Sequence, residues 1–244
     1  MKVIITGMNG TVAPWIAKVY KSKGYEVVSF DRTKTNIDNE DAILKFIETQ
    51  DPRVIIHCAL GPFSWAESLA RISRMLDITF VYTSTVSVYG NQQKGPFVVS
   101  DPVIPSDDYG TYKKQCEDAC LSINPKSYIL RLGWQIGYDE FNNQMLHYIY
   151  DKMKSEGVCK LSSRFYPSAS FLEDTAQSIY EVVLNLPPGL YLLNSNHKFS
   201  LYEIGLYLKK QHPLIKIEED LSFIYDNRMF DIRVPIKKLS ELIG

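Results

Sequence analysis

The sequence predicts an α/β fold in which a doubly wound parallel sheet carries a small C-terminal lobe. Short β-branched segments alternate with amphipathic segments of helical period, which is typical of a parallel sheet covered by helices. Several short segments, such as 3–5 and 54–56, are apolar throughout, as expected of strands buried on both faces. The first of them runs directly into a turn that contains Gly7 and Gly10.

The individual elements follow from these patterns. Strands are predicted at 3–6, 26–30, 54–58, 79–84, 127–132 and 190–193, where β-branched or apolar runs end at turn-forming residues. Helices are predicted between them at 12–22, 41–49, 64–76, 109–121 and 173–184. Ser200 and Glu203 form a capping-box pattern, so a further helix is expected to begin there and to end at about residue 210.

The regular alternation weakens after Leu132, which suggests how the chain is divided. Residues 1–137 are predicted to form the sheet-based core, and 138–244 mainly the smaller lobe, with 169–194 returning to the core. A chain of 244 residues can bury a substantial interior in such an arrangement.

Composition excludes several function classes. The net charge is −1 and no basic block is present, so nothing favours nucleic acid or a membrane surface as a partner. The apolar runs are too short to span a bilayer, and a strand begins at once after Met1-Lys2, so no signal peptide is predicted and a cytoplasmic location is expected. The four cysteines and four histidines are scattered and predict no metal site.

The turn after the first strand predicts a phosphate-binding site. It follows the pattern Gly7-x-x-Gly10-x-x-Ala13, between a buried strand and a helix. Gly7 permits the tight turn, Gly10 lets a pyrophosphate approach the backbone, and Ala13 lets helix and strand pack closely. The helix N-terminus then favours the negative charge of the phosphates.

Two residues at the end of the second strand bear on the choice of cofactor. Asp31 can bind the hydroxyls of an adenosine ribose and would favour NAD. Arg32 can pair with a 2′-phosphate and would admit NADP. Both NAD and NADP therefore stay open.

Three side chains farther along predict proton-transfer chemistry. Thr85 ends the fourth strand, where hydroxyls point into the ligand crevice of parallel sheets. Tyr109 and Lys113 share one face of the following helix, because they are four residues apart. The ammonium is expected to lower the pKa of the phenol, and Thr85 to hold the reacting oxygen. A Tyr-x-x-x-Lys pair can arise by chance among 16 tyrosines, so the order of the motifs carries the prediction.

With these motifs the chain resembles the extended short-chain dehydrogenase/reductase family, also called the NAD-dependent epimerase/dehydratase family. Within it, the chain is most similar to dTDP-4-dehydrorhamnose reductases. The similarity lies in TGMNG at 6–10, the hydroxyl pair at 84–85, RLGWQIG at 131–137, and the pair Tyr109 and Lys113.

The resemblance implies a Rossmann-type fold and an NAD(P)-dependent enzyme that reduces a nucleotide-linked 4-keto-sugar. It implies that Thr85, Tyr109 and Lys113 are catalytic, with the tyrosine donating a proton to the carbonyl as hydride arrives. It also implies that the lysine binds the nicotinamide ribose. The expected cofactor-binding residues are Gly7, Asn9, Gly10, Thr11, Asp31, Arg32, Ala59, Tyr109 and Lys113.

Departures from the family pattern keep two other functions open. The chain is shorter than the pattern between Ala59 and Trp65, which shortens the helix of the usual homodimer face. Thr85 is followed by Val86 and Ser87, whereas the rhamnose reductases carry an aspartate in this segment. In this respect the chain is more similar to sugar-nucleotide 4-epimerases. The alternatives are such an epimerase and a non-catalytic NAD(P)-binding regulatory subunit. A 4,6-dehydratase is not favoured, because these positions supply no carboxylate.

Overall fold

Strands and helices alternate through the first half of the chain, as the sequence predicts. The computed structural model describes residues 1–91, 94–138 and 144–243. The strands are β1 (Lys2–Thr6), β2 (Glu26–Ser29), β3 (Val54–His57), β4 (Thr79–Thr85), β5 (Tyr128–Leu132), β6 (Trp134–Ile136), β7 (Cys159–Ser162), β8 (Phe165–Tyr166), β9 (Ala169–Phe171), β10 (Gly189–Leu193), β11 (Ile217–Asp220) and β12 (Tyr225–Asp226). The helices are α1 (Ala13–Ser22), α2 (Glu40–Gln50), α3 (Phe63–Met75), α4 (Asp108–Ile123), α5 (Met145–Glu156), α6 (Leu172–Asn185) and α7 (Leu201–Gln211).

Six strands form the main sheet, in the order β10-β5-β4-β3-β1-β2. All neighbouring pairs are parallel. Because β2 lies on one side of β1 and β3 on the other, the direction of winding reverses at β1. Ligands of open α/β sheets bind at the carboxyl ends of strands beside such a reversal. The predicted fold class is confirmed, and the six predicted strands match the observed strands to within one residue at each end.

The sheet is buried on both faces, which explains the apolar strands. Apolar residues of α1 and α6, such as Ile16 and Ile179, pack on one face with Val3 and Ile5. Helices α2, α3 and α4 cover the other face, where Trp65 packs with Ile4. Burial on both sides requires continuous apolar runs rather than an alternating pattern.

The smaller lobe is built from three two-stranded parallel pairs, β6–β9, β7–β11 and β8–β12, together with α5 and α7. The capping box at Ser200 and Glu203 is formed, and α7 begins at the next residue as predicted. The sequence did not predict the short strands, because runs of two to four residues carry too weak a pattern. Helix α5 was not predicted either. The division of the chain at residue 137 stays a prediction, and residues 139–143 and 244 of the expected lobe lie outside the described residues.

Two features are absent from the described part of the chain. No helix in it is both long and apolar enough to cross a bilayer. It also contains no group of three or more histidine, cysteine or carboxylate side chains placed to hold a metal ion. Cys116, Cys120 and Cys159 are buried free thiols, and Cys58 is partly exposed.

Candidate active site

A cleft of about 470 Å³ opens at the carboxyl ends of β1, β4 and β5. It brings together six of the predicted site residues: Gly7, Gly10, Thr11, Thr85, Tyr109 and Lys113. Its wall also includes Gln135 and Asn227, which the sequence analysis did not identify as site residues. A larger hollow of about 630 Å³ lies at the other end of the strands, near the amino-terminal ends of β1, β3 and β4, and none of the predicted site residues lines it.

The glycine turn forms one end of the cleft. Gly7 has a φ of +77°, and a Cβ there would lie 3.0 Å from the backbone nitrogen of Ala59, so only glycine fits without strain. The N–H of Gly10 donates to the carbonyl oxygen of Gly7 at 2.8 Å and closes the turn. In the described part of the chain no side chain caps α1; Pro14 has no N–H, and the N–H groups of Trp15 and Ile16 donate to the Val12 carbonyl oxygen at 3.1 and 3.2 Å. The positive end of the helix dipole still favours an anion at this position. This cradle fits the pyrophosphate of NAD(P).

Thr6 fixes the backbone on which the turn rests. Its hydroxyl accepts hydrogen bonds from the N–H groups of Cys58 and Ala59, at 3.0 Å each, and lies 2.8 Å from Nδ1 of His57. Because both lone pairs of the hydroxyl are used, Thr6 donates to Nδ1, and the imidazole proton is on Nε2. Burial, assisted by the charge of Lys113, lowers the pKa of His57 to about 3, so the ring is neutral. Neither residue was predicted to belong to the site: Thr6 lies in the TGMNG segment but before the glycine turn itself, and His57 belongs to no recognisable motif.

Thr85 ends β4 and presents a pair of hydroxyls with Ser87. Its Oγ1 accepts a hydrogen bond from the backbone N–H of Ser87 at 3.2 Å and donates to Ser87 Oγ at the same distance. The 3₁₀ turn Val86–Tyr89 follows directly and holds both side chains in the wall of the cleft. The predicted position of Thr85 in the crevice is therefore the one observed.

The N-terminus of α4 lies unusually close to this turn. Asp107 caps the helix by accepting a hydrogen bond from the N–H of Gly110 at 2.6 Å. A Cβ on Gly110 would lie 2.6 Å from the carbonyl oxygen of Ser87, so a larger residue would push the helix away. Gly110 therefore permits the approach that brings Tyr109 to Thr85. A glycine in the first turn of a helix was the signal available for it in the sequence.

Tyr109 and Lys113 both face the cleft but differ greatly in burial. Tyr109 is 45% exposed, whereas Lys113 is only 3% exposed. The Lys113 ammonium donates to the carbonyl oxygen of Thr83 at 2.9 Å and lies 4.7 Å from the centre of the Tyr82 ring. Burial lowers the pKa of Lys113, while nearby thiols and Glu117 act in the opposite direction.

The expectation that Lys113 lowers the pKa of Tyr109 is wrong for this arrangement. Partial burial raises the pKa of the Tyr109 phenol; a hydrogen bond with Thr85 acts against this shift, and the charge of Asp107 adds to it. Lys113 does not contribute to this pKa shift, since its ammonium donates to the carbonyl oxygen of Thr83 on β4. The phenol is therefore held in its protonated form.

The two residues expected to recognise the adenosine ribose lie outside the cleft described above. The Asp31 carboxylate accepts hydrogen bonds from the Thr33 N–H at 2.9 Å and from the Thr33 hydroxyl at 2.7 Å. It also lies 3.7 Å from the Lys34 ammonium, and these contacts, chiefly those with Thr33, lower the pKa of Asp31. Arg32 is exposed.

Asn9 and Ala59 do not line the cleft either. Ala59 nevertheless touches the glycine turn, because its backbone lies against the position that a Cβ on Gly7 would take. The cofactor-binding roles expected of Asn9, Asp31, Arg32 and Ala59 stay predictions.

Behind the cleft, a buried ion pair joins α4 to β5. Arg131 and Glu117 have side chains only 3% and 1% exposed, and they form two hydrogen bonds of 2.9 and 2.7 Å. A third guanidinium N–H donates to the Tyr89 hydroxyl at 2.9 Å, which in turn donates to the carbonyl oxygen of Val98 at 3.0 Å. Glu117 lies one turn beyond Lys113, so the pair fixes the helix that carries the predicted catalytic residues.

The winding of the sheet reverses at β1, beside the glycine turn, and one cleft there holds the Thr85 hydroxyl, the Tyr109 phenol and the Lys113 ammonium. These features define a dinucleotide-binding α/β protein of the short-chain dehydrogenase/reductase type. Comparison with known families places it more narrowly. The chain belongs to the family described as the RmlD substrate binding domain, which matches residues 1–61 and 63–213. The resemblance to dTDP-4-dehydrorhamnose reductases stated from the sequence is confirmed at the level of the family.

Individual relatives agree with this assignment. A dTDP-4-dehydrorhamnose reductase of Aggregatibacter actinomycetemcomitans is 22% identical over 246 residues, covering 91% of this chain and 83% of the relative. The crystal structure of dTDP-4-dehydrorhamnose reductase from Bacillus anthracis in complex with NADP aligns with a TM-score of 0.82 and 17% identity, over 99% of this chain and 96% of that one. The Bordetella bronchiseptica enzyme WbmH in complex with NAD⁺ aligns with a TM-score of 0.79 and 18% identity, over 99% and 95%. These structural similarities establish the fold.

Proposed function

We propose that this chain is an NAD(P)-dependent oxidoreductase that reduces a nucleotide-linked 4-keto-sugar. The observation that carries the proposal is that Thr85, Tyr109 and Lys113 line the same cleft as the glycine turn. The sequence relative from Aggregatibacter and the structural relative from Bacillus anthracis are both dTDP-4-dehydrorhamnose reductases, which supports this substrate class. NADP and NAD⁺ in the two related structures support either cofactor.

In this proposal Thr85 and Tyr109 act on the substrate carbonyl oxygen. The Thr85 hydroxyl holds that oxygen, and the Tyr109 phenol donates a proton to it. A bound reduced cofactor supplies the hydride that the carbonyl carbon receives, so the product is an alcohol. The Tyr109 phenol holds its proton before substrate binds, and its partial exposure lets the phenolate regain a proton from solvent.

Lys113 and the glycine turn hold the cofactor in this proposal. One N–H of the Lys113 ammonium is used by the Thr83 carbonyl, which leaves two for ribose hydroxyls. Gly7, Gly10 and Thr11 lie where the pyrophosphate would meet the start of α1. We place the reaction in the cytoplasm, where both the cofactor and nucleotide-linked sugars are available.

Turnover of a panel of dTDP-, UDP- and GDP-linked 4-keto-sugars and sugars tests the proposal. Consumption of one reduced cofactor for each 4-keto-sugar converted is the expected result. Formation of a 4-epimer without net consumption would instead identify a sugar-nucleotide 4-epimerase. Cofactor binding without conversion of any member of the panel would refute the enzyme and favour a regulatory subunit.

A further inference from the structure

One side of the cleft carries an amide whose oxygen has no hydrogen-bond partner in the described part of the chain. Gln135, on β6, is 6% exposed, and its Nε2 donates to the carbonyl oxygen of Gly133 at 2.9 Å. A carbonyl oxygen can only accept, so this contact fixes which end of the amide faces Gly133. The Oε1 atom is buried and has no hydrogen-bond partner within residues 1–91, 94–138 and 144–243. Gln135 lines the cleft, so this acceptor, without a partner among the described residues, belongs to the cleft wall.

Asn227 lines the same cleft from the smaller lobe, and there the backbone holds the amide oxygen instead of the amide nitrogen. Its Oδ1 accepts a hydrogen bond from the backbone N–H of Ser168 at 2.7 Å. An N–H can only donate, so Oδ1 is fixed on Ser168 and Nδ2 points elsewhere. Nδ2 makes no hydrogen bond to any residue that the structure describes. Among the described residues, Asn227 therefore offers the cleft wall a donor without a partner.

The backbone around Ser168 connects the two amides. The Ser168 carbonyl oxygen accepts a hydrogen bond from the N–H of Trp134 at 2.7 Å, directly before Gln135. Gly133 packs so tightly on Ser168 that a Cβ there would lie 2.6 Å from the Ser168 carbonyl group. Because these contacts run through backbone atoms, both amides are held in place before any ligand arrives. Groups held in this way lose little freedom on binding.

We propose, on the basis of the proposed function, that Gln135 and Asn227 recognise hydroxyl groups on the sugar of the nucleotide-linked substrate. A neutral acceptor beside a neutral donor matches hydroxyls, which both donate and accept. A phosphate or carboxylate would place negative oxygen against Gln135 Oε1. Leu132 and Trp134 line the same part of the cleft and offer apolar surface to the C–H groups of a sugar ring.

The variant Asn227→Asp tests this assignment sharply. The new carboxylate can still accept from the Ser168 N–H, but it replaces the Nδ2 donor of Asn227 with an acceptor. Asn36→Asp is the matched control, since Asn36 also accepts a backbone N–H, that of Asp38 at 3.0 Å, but lies on an exposed loop. Gln135→Met is the second variant, and it removes the acceptor while keeping the length of the side chain.

Calorimetry measures the affinity of each variant for two probes: the sugar nucleotide that the wild type converts, and its free nucleoside diphosphate. The ratio of the two affinities isolates the contribution of the sugar. We expect Asn227→Asp and Gln135→Met each to lower this ratio by about tenfold or more. The affinities for the nucleoside diphosphate and for NAD(P) should stay unchanged, and Asn36→Asp should behave as the wild type.

An unchanged ratio in Asn227→Asp, in a protein that still converts the substrate, would overturn the inference and leave the proposed function standing. An equal loss for the sugar nucleotide and the nucleoside diphosphate would also overturn it, because the amides would then contact the nucleotide. Failure of the wild type to convert any member of the panel would instead refute the proposed function, and the inference with it.

Discussion

Removing one partner of the buried Arg131–Glu117 pair should destabilise the fold strongly. In Arg131→Met the Glu117 carboxylate, whose side chain is 1% exposed, loses both of its guanidinium hydrogen bonds and stays in the interior. An uncompensated buried charge of this kind costs about 3–5 kcal/mol. With a urea m value of about 3 kcal/mol/M, the unfolding midpoint should fall by about 1 M or more.

Urea titration followed by circular dichroism measures this effect, and two further variants make it diagnostic. Lys152→Met breaks the exposed Lys152–Glu156 pair on α5, of 2.7 Å, and should leave the midpoint unchanged. The double variant Arg131→Met/Glu117→Leu removes both charges and should recover most of the lost stability. A midpoint for Arg131→Met no lower than that of Lys152→Met would refute the reasoning.

Three further predictions concern the cofactor and the buried histidine. Gly10→Val should abolish NAD(P) binding with the circular dichroism spectrum retained, because Gly10 closes the turn at the cleft; unchanged affinity by calorimetry would contradict this. Asp31→Ala should shift preference toward NADP and Arg32→Ala toward NAD, and an unaltered ratio of the two affinities would place both residues away from the ribose. His57 has a pKa of about 3 in the folded chain against 6.5 ordinarily, so the unfolded chain binds the extra proton between these values. Its contribution to stability is complete above pH 6.5 and is lost as the pH falls toward 3, by up to about 1.4 kcal/mol per pH unit, and His57→Gln should remove this part of the slope.

The main sheet could be predicted because its physical causes are local. Strands buried on both faces need continuous apolar runs, and such runs are visible at 3–5 and 54–56. Helical spacing was enough to place Tyr109 and Lys113 on the same side of α4. The glycine turn was equally visible, since a positive φ at Gly7 leaves few other choices of residue.

What could not be predicted depends on contacts between distant segments. Asn227 reaches the cleft from the smaller lobe through a bond to Ser168, and no local pattern marks either residue. The direction of the Lys113 ammonium depends on the carbonyl oxygen of Thr83, on a strand 30 residues earlier in the chain. The sequence therefore could not show that Lys113 leaves the pKa of Tyr109 unaffected. The Tyr89 hydroxyl accepts a hydrogen bond from Arg131, 42 residues later in the chain, and no local pattern marks this contact either.

The proton-donor role of Tyr109 is the central claim, and Tyr109→Phe tests it most directly. This variant removes only the hydroxyl that faces Thr85, whereas Tyr112→Phe, on the same helix, removes a buried hydroxyl away from the cleft. The measurement is the turnover of the sugar nucleotide that the wild type reduces, with NAD(P) affinity determined on the same samples. Tyr109→Phe should lose turnover by about 10²–10⁴ and keep its cofactor affinity, and Tyr112→Phe should keep both. Full turnover in Tyr109→Phe, or a comparable loss in Tyr112→Phe, would contradict the account.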